Sequence, residues 1–392
     1  MNVCLICNEY PDGPHGGIGS MTQLLAEELV ALNHAVKIIG VYDYSYPSPD
    51  FEIKNGVEVT RLRSNYKQNL SVFRAYWKLG STIRMWSQNN QIEIIESPDS
   101  YGMLSILPSF GKPFVLRAHG NNTYFSSILK IPIKKKTLFY EWNLYRKASG
   151  YSAVSEYTAR KMKSLFNIRK PFEIIYNGID IQVESNNTTE FPGNCKEILS
   201  LQNPIIFSGT LTAKKGIYEL VRSVIKLLEQ GIILTLIING KDTINLLTGN
   251  SVKDELINLI PDSLKKNFIF NGHITRNELF CHYKYSKAAI FPSYAEAFAL
   301  APMEAMANGI PTIFSSTCSG SELISDKENG LLVNPESDES IAQAIAYILD
   351  FPVEAKILGK KGREKILNNF SKELMATNTL RFYEHIQTSY TN

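Results

Sequence analysis

Short β-branched runs alternate with longer helical patterns along nearly the whole chain, and they do so in two separate series. The first series places strands at 3–7, 35–39, 57–61, 92–96, 114–117, 151–154 and 172–175. Helical patterns lie between them, clearest at 20–32 and 72–87. The second places strands at 204–207, 234–238, 268–270, 288–291, 311–314 and 331–333, followed by two helices after Asp338 and a last helix from about 371 to 390. Strands alternating with helices argue for parallel βαβ units, so each series predicts a doubly wound α/β sheet covered by helices on both faces. The polar stretch 182–192, rich in Asn, Thr and Glu, reads as the connection between them. Ligands of such sheets bind beyond the carboxyl ends of the strands, so two of them in tandem predict a site in the cleft where those edges face each other.

At 392 residues the chain is long for one core, which supports two domains. Its 44% hydrophobic and 20% charged residues suit a folded globular protein. No apolar run approaches the roughly 20 residues of a membrane-spanning helix. The opening Met1-Asn2-Val3-Cys4-Leu5-Ile6-Cys7 lacks a basic leader and reads as a buried first strand. The five cysteines, at 4, 7, 195, 281 and 318, have no disulfide-framework spacing, and Cys4 and Cys7 are expected to be structural. A cytoplasmic location is expected, with association at the inner face of the membrane as an extension of it.

That extension comes from charge. Residues 1–178 carry 21 Lys and Arg against 14 Asp and Glu, a net of +7, whereas the remainder carries 20 against 24. Between Lys130 and Lys170 eleven cations, among them Lys134, Lys135, Lys136, Arg146, Lys147 and Arg160, meet only Glu141 and Glu156. Apolar residues such as Tyr124, Ile131, Phe139, Trp142 and Leu144 interleave this stretch. An ordinary solvated face is one reading of it. Peripheral contact with an anionic membrane is the other.

Chemistry concentrates in Phe291–Gly309. A strand ends near Pro292, a loop carries Glu296, and a helix is expected to start near Pro302 with Glu304 in its first turn. Free amides at about 298–302 would then hold an anion. Two carboxylates beside an anion site make sense if hydroxyl groups flank the phosphates, because carboxylates accept strong hydrogen bonds from sugar hydroxyls. Taken singly, Glu304 reads equally as a dipole partner and Glu296 as a solvated loop residue.

The pattern Ser-x-x-Glu-x-Phe-x-Leu-x-x-x-Glu-Ala-Met-Ala-x-Gly-x-Pro, from Ser293 to Pro311, resembles the signature of retaining glycosyltransferases of the GT-B type in glycosyltransferase family 4, a glycogen synthase-like superfamily. Further blocks match in order: Gly16-Gly17-Ile18-Gly19, His119-Gly120, Asn177-Gly178-Ile179-Asp180, Gly209 through Lys215-Gly216, Gly320-Ser321-Glu322 and Asn329 to Val333. The resemblance implies an N-terminal acceptor domain over 1–180, a linker over 181–203, a C-terminal nucleotide-sugar domain over 204–370, and a helix over 371–392 that can cross back to the first domain.

The resemblance also implies roles. Lys215 neutralises the leaving diphosphate, Glu296 holds the hydroxyls of the donor sugar, Glu304 holds the ribose, and His119 lies near the reacting carbon. Gly16 and Gly17 with Gly209 approach the donor closely. Gly272 and Ile274 receive the nucleobase, and Ala297, Phe298, Ala299 and Leu300 supply the backbone around the phosphates. Many relatives have arginine where this chain has Thr210, which leaves one phosphate cation absent there and Lys214 as its possible substitute.

The glycine loop after strand one is not the dinucleotide fingerprint, and no acidic residue ends the second strand at Ile39, so a nicotinamide enzyme is disfavoured. No Asp-x-Asp triplet occurs, so no metal or other cofactor is expected. The mechanism implied is a retaining transfer in which the departing phosphate oxygen acts as base. The donor is read as a UDP-sugar first and GDP-mannose second. The acceptor is read as a glycan or lipid-linked molecule of the kind used in bacterial surface polysaccharide and lipopolysaccharide synthesis, and no nucleic-acid partner is expected. A nucleotide-sugar epimerase, a phosphorylase of the same architecture and a non-catalytic nucleotide-sugar binder stand as alternatives.

Overall fold

A computed structural model describes residues 1–180, 195–245 and 247–391. The chain divides into two units, Met1–Asp180 with Phe370–Asn392, and Ile181–Asn369. The predicted connection at 182–192 lies outside the described residues.

In the first unit the elements run β1 (Asn2–Ile6), α1 (Gly17–Ala31), β2 (Ala35–Asp43), β3 (Phe51–Lys54), β4 (Val57–Ser64), α2 (Asn69–Gln88), β5 (Ile94–Pro98), β6 (Phe114–Ala118), α3 (Asn122–Ile128), α4 (Lys135–Lys147), β7 (Gly150–Ala153), α5 (Glu156–Phe166) and β8 (Glu173–Ile174). The sheet order is β3-β4-β2-β1-β5-β6-β7-β8. All its pairings are parallel except β3 with β4. Each of the seven short apolar runs expected as strands in this unit overlaps one. β3 was not expected: its alternation of Phe51 and Ile53 with Glu52 and Lys54 is only four residues long, and the apolar pair stays exposed. It is an edge hairpin turned by Asn55 and Gly56, both at positive φ (51° and 80°), the backbone that matches strand twist.

The second unit contains α6 (Cys195–Leu199), β9 (Pro204–Ser208), α7 (Ile217–Glu229), β10 (Thr235–Asn239), α8 (Val252–Leu259), β11 (Phe268–Gly272), α9 (Arg276–Tyr285) and β12 (Ala288–Phe291). It continues with α10 (Leu300–Ala307), β13 (Thr312–Ser315), α11 (Gly320–Leu323), β14 (Leu331–Val333), α12 (Asp338–Asp350) and α13 (Pro352–Asn369). Its six strands are all parallel in the order β11-β10-β9-β12-β13-β14. Strands buried on both faces read as continuous apolar runs, and Ile205, Phe207, Leu236, Ile238, Ile290 and Ile313 fill this core.

The last helix, α14 (Lys372–Thr391), belongs to the first unit. It places Met375, Ala376, Phe382, Tyr383 and Ile386 in the same core as Leu5, Ile38 and Val115. Each large side chain so buried contributes about 1.5–3 kcal/mol. A polar anchor fixes its register. Arg117 donates to both oxygens of Glu96 (2.8 and 3.0 Å) and to the Thr379 hydroxyl (2.9 Å), and the Tyr383 hydroxyl donates to Glu96 (2.9 Å). The Asn177–Asp180 block serves the same docking: Ile179 bridges to Ser371, and a Cβ on Gly178 would stand 2.6 Å from the Ser371 carbonyl oxygen. Among the described residues no helix is long and apolar enough to cross a membrane.

Candidate functional site

In the second unit, two loops at the carboxyl edge of the sheet are locked together. After β9 a short 3₁₀ turn, Ala213–Lys215, ends at Gly216, which has φ of 68° and starts α7. A Cβ there would lie 1.9 Å from the carbonyl oxygen of Pro292, so only glycine lets this turn lie against the loop after β12. The Tyr294 amide donates to the Lys214 carbonyl (2.8 Å), and the Lys215 ammonium then meets the Glu296 carboxylate as an ion pair, both side chains partly buried. From the other side Cys318, in the loop after β13, accepts the Glu296 amide (3.3 Å) through its sulfur. Lys214 is half-buried, and desolvation lowers its affinity for a proton while Glu296 partly restores it. Lys215, Lys214 and Glu296 therefore form one electrostatic cluster, and the exposed Thr210 adds no charge to it.

The helix that follows differs from expectation. α10 begins at Leu300, with Ala299 as its cap, and no side chain caps it. Pro302 is thus the third helical residue and has no amide to offer, so the free donors at this end are the amides at 299–301. Glu304 lies beyond the first turn, where no acidic residue stands. Its carboxyl is pushed up to about 7 by burial, against the pull of Arg276. Among the described residues it accepts no hydrogen bond from another side chain. Ala297, Phe298 and Ala299 are buried, so they line the site by backbone and apolar surface. Gly209, at φ of 151°, donates to the Asn239 carbonyl (2.9 Å), and Gly272 accepts the Gly240 amide (2.7 Å). The half-buried Ile274 follows just before α9. All the second-unit residues expected at the site thus lie along one sheet edge. Ser208, Tyr283 and Ala301 reinforce it: the Tyr283 hydroxyl joins the Ser208 hydroxyl (2.6 Å) and reaches the Ala301 carbonyl (3.5 Å). Cys318 and Tyr283 had no sequence signal beyond lying near the signature.

In the first unit His119 ends β6. Its amide is held by Asp99 (2.9 Å), which also accepts the Tyr145 hydroxyl (3.0 Å). Burial, aided by the nearby Arg117, pushes the imidazole down to about 3, so it is neutral in the physiological range. Its Nε2 and the neighbouring Asn121 Nδ2 are buried without a hydrogen-bond partner among the described residues. Buried polar atoms are seldom left so, which makes this strand end a candidate place for a ligand. The glycine loop is closed by a contact within the unit. The amides of Gly16 (3.2 Å) and Gly19 (2.9 Å) both donate to the carboxylate of Glu9. A Cβ on Gly19 would stand 2.2 Å from the Glu9 carbonyl oxygen, so this glycine serves the loop's own closure. Gly16 and Gly17 remain exposed.

The basic stretch is only partly a free surface. Lys147 turns inward, donating to the carbonyls of Leu104, Leu107 and Pro108, and burial lowers it to about 8. Tyr124 and Leu144 are core residues, whereas Ile131, Phe139 and Trp142 are exposed. Cys4, Cys7 and Cys318 are buried free thiols, and Cys281 is disulfide-bonded, which the cysteine spacing did not suggest. Among the described residues no cluster of three or more His, Cys, Asp and Glu could hold a metal ion.

Comparison with known proteins agrees with this arrangement. Residues 196–365 match the family model for glycosyl transferases group 1, and residues 15–183 match that for glycosyltransferase family 4. An uncharacterized glycosyltransferase, MJ1607, of Methanocaldococcus jannaschii is 25% identical over 396 residues, 98% of each chain. The lipopolysaccharide core biosynthesis mannosyltransferase LpcC of Rhizobium leguminosarum is 24% identical over 245 residues, 62% of this chain and 66% of that one. Among solved structures, Anabaena HepE in complex with UDP-glucose superposes with a TM-score of 0.76 at 15% identity, over 98% of this chain and 99% of that one. With two doubly wound units, a family match in each, and the Lys215–Glu296 cluster at the carboxyl edge of the second sheet, the chain belongs to the GT-B glycosyltransferases of the family 4 type.

Proposed function

We propose that this glycosyltransferase moves a sugar from a nucleoside diphosphate, with retention and without a metal, to a glycan or lipid-linked acceptor in surface polysaccharide synthesis. The observation that carries the reading is the cluster of Lys214, Lys215 and Glu296 beside the uncapped start of α10. Two ammonium groups and the amides at 299–301 supply positive potential for a diphosphate, and it grows in value as charge builds on the leaving oxygen. When a diphosphate draws Lys215 away, the Glu296 carboxylate is released to accept hydrogen bonds from the sugar hydroxyls. Glu304, lacking a protein donor, takes the ribose hydroxyls. The neutral imidazole of His119 offers a hydrogen bond to the sugar without repelling the oxocarbenium-like centre, as an imidazolium would. The acceptor hydroxyl attacks from the face the phosphate leaves, and the phosphate oxygen takes its proton. UDP-sugar is the first donor to test, in line with HepE, and GDP-mannose the second, in line with the mannosyltransferase LpcC.

The test is transfer from UDP-glucose and GDP-mannose in the presence of EDTA, with the anomeric configuration of the first product read by proton NMR. Retention is expected. Lys215→Ala and Glu296→Ala at saturating donor are expected to lose about 10²–10³ in turnover. Inverted product, or near-native turnover in either variant, refutes the mechanism; interconversion of the free nucleotide sugar without transfer would make the protein an epimerase instead.

A further inference from the structure

A second charged site lies in the first unit, away from the residues assigned above. Between Glu58 and Glu93 the chain has no acidic residue but carries Arg61, Arg63, Lys67, Arg74, Lys78 and Arg84. Arg61 is buried against Glu52, so it is accounted for. Arg63, Arg74 and Lys78 instead line a cavity of about 350 Å³, with Gln68, Ser71 and Tyr44. It opens where β2 and β4 end and α2 begins, the carboxyl edge at which doubly wound sheets take ligands.

The charges there are poorly balanced by the protein. Arg63 is tied down by Asp50 (2.6 Å) and by the carbonyls of Asp43 and Tyr46 (3.3 and 3.0 Å). The side chains of Arg74 and Lys78 are exposed, and neither the guanidinium nor the ammonium has a carboxylate or other hydrogen-bond partner among the described residues. They stand at i and i+4 on α2, where like charges repel and destabilise the helix. α2 also starts without a side-chain cap, which leaves its first amides and the positive end of its dipole at the same cavity. A cavity with two uncompensated cations, a third fixed guanidinium and an open helix start suits a phosphate. Beside it α2 exposes Leu70, Phe73 and Trp77, the two rings stacked 6.1 Å apart.

We propose that Arg63, Arg74 and Lys78 bind a phosphate group carried by a lipid, whose apolar part lies along Leu70, Phe73 and Trp77. That this lipid phosphate belongs to the acceptor rests on the transferase reading above; the binding itself does not. The apolar ledge next to the cations favours a lipid phosphate over a soluble one, because a soluble sugar phosphate has nothing to place there.

The experiment uses the full chain and two probes: glycerol 3-phosphate by calorimetry, and flotation with phosphatidylcholine vesicles made with and without phosphatidylglycerol. The variants are Arg74→Gln/Lys78→Gln and Trp77→Ser, all at exposed positions. A shift in melting temperature by UDP-glucose, measured on each, reports that the second unit is intact. The wild type should bind glycerol 3-phosphate and the anionic vesicles, more weakly at high salt. The double variant should lose about two- to thirtyfold for both probes, the combined effect of two exposed charged contacts. Trp77→Ser should lose vesicles but keep glycerol 3-phosphate. Equal binding by wild type and double variant overturns the site, and vesicle binding untouched by Trp77→Ser overturns the lipid assignment in favour of a soluble phosphate. If no donor is turned over by the wild type, the transferase reading fails while the phosphate site stands.

Discussion

Glu304 offers the most direct measurement of whether the donor is held as proposed. Its carboxyl is raised to about 7 because burial penalises the charge more than Arg276 compensates for it. Only the ionised form offers both oxygens as charged acceptors, which make the stronger hydrogen bonds to a ribose. A group with pKa of about 7 is about one-tenth ionised at pH 6 and about nine-tenths at pH 8. If binding requires the carboxylate, affinity is full above about pH 7 and is lost as pH falls through it. Between pH 8 and pH 6 the loss is about tenfold, or about 1.4 kcal/mol. Calorimetric titration with UDP-glucose and GDP-mannose at constant ionic strength reads this directly. A nucleotide sugar is the right probe because its diphosphate is esterified at both ends, whereas a free terminal phosphate has an ionisation near pH ~6 of its own. Glu304→Gln keeps the shape and removes the titration. It should bind more weakly at pH 8, by the roughly tenfold that a charged hydrogen bond is worth, and with no slope between pH 6 and 8. A flat wild-type profile, or a slope that survives in Glu304→Gln, refutes the assignment.

Two further predictions concern stability. Asp99 is buried with its carboxyl pushed up to about 7, so between about pH 4 and pH 7 the folded state holds a proton that the unfolded state has released. Stability should therefore fall as pH rises through that window and level off above it, and Asp99→Asn should flatten the urea midpoint against pH, with Glu304→Gln removing a slope of the same sign; an unchanged slope in the double variant counts against both. Glu96→Ala should cost about 3–5 kcal/mol by stranding the buried Arg117 guanidinium, and should expose α14 to proteolysis before the rest of the chain. A loss below about 1 kcal/mol would show that the anchor is dispensable.

The strands were legible because each is a short apolar run long enough to cross a sheet and too short for a helix, and buried parallel strands need little else. β3 was not, since four alternating residues are a weak signal and its apolar pair, Phe51 and Ile53, packs into no core. The Asn55-Gly56 pair was a further sign. The signature around Glu296 and Glu304 placed a strand end, a loop and a helix where they lie, but misplaced the helix start by two residues, because proline at the third helical position is also allowed: its missing amide has no partner to lose there. The acid-free run from 59 to 92 was also visible, yet composition could not show which of its cations were paired.

What the sequence alone determined is the class of architecture and the family. Those depend on periodicity and on residue types at fixed spacings, which are properties of the chain itself. Only the tertiary structure decided how charges are shared: Lys215 with Glu296, the Gly16 and Gly19 amides with Glu9, Lys147 with three carbonyls, Arg117 with Glu96 and the returning helix. These partners are between 7 and 262 positions apart, and no local preference specifies them. Coulomb energy and desolvation depend on distance and burial in space, so the protonation and pairing of each group are settled only when the chain has folded.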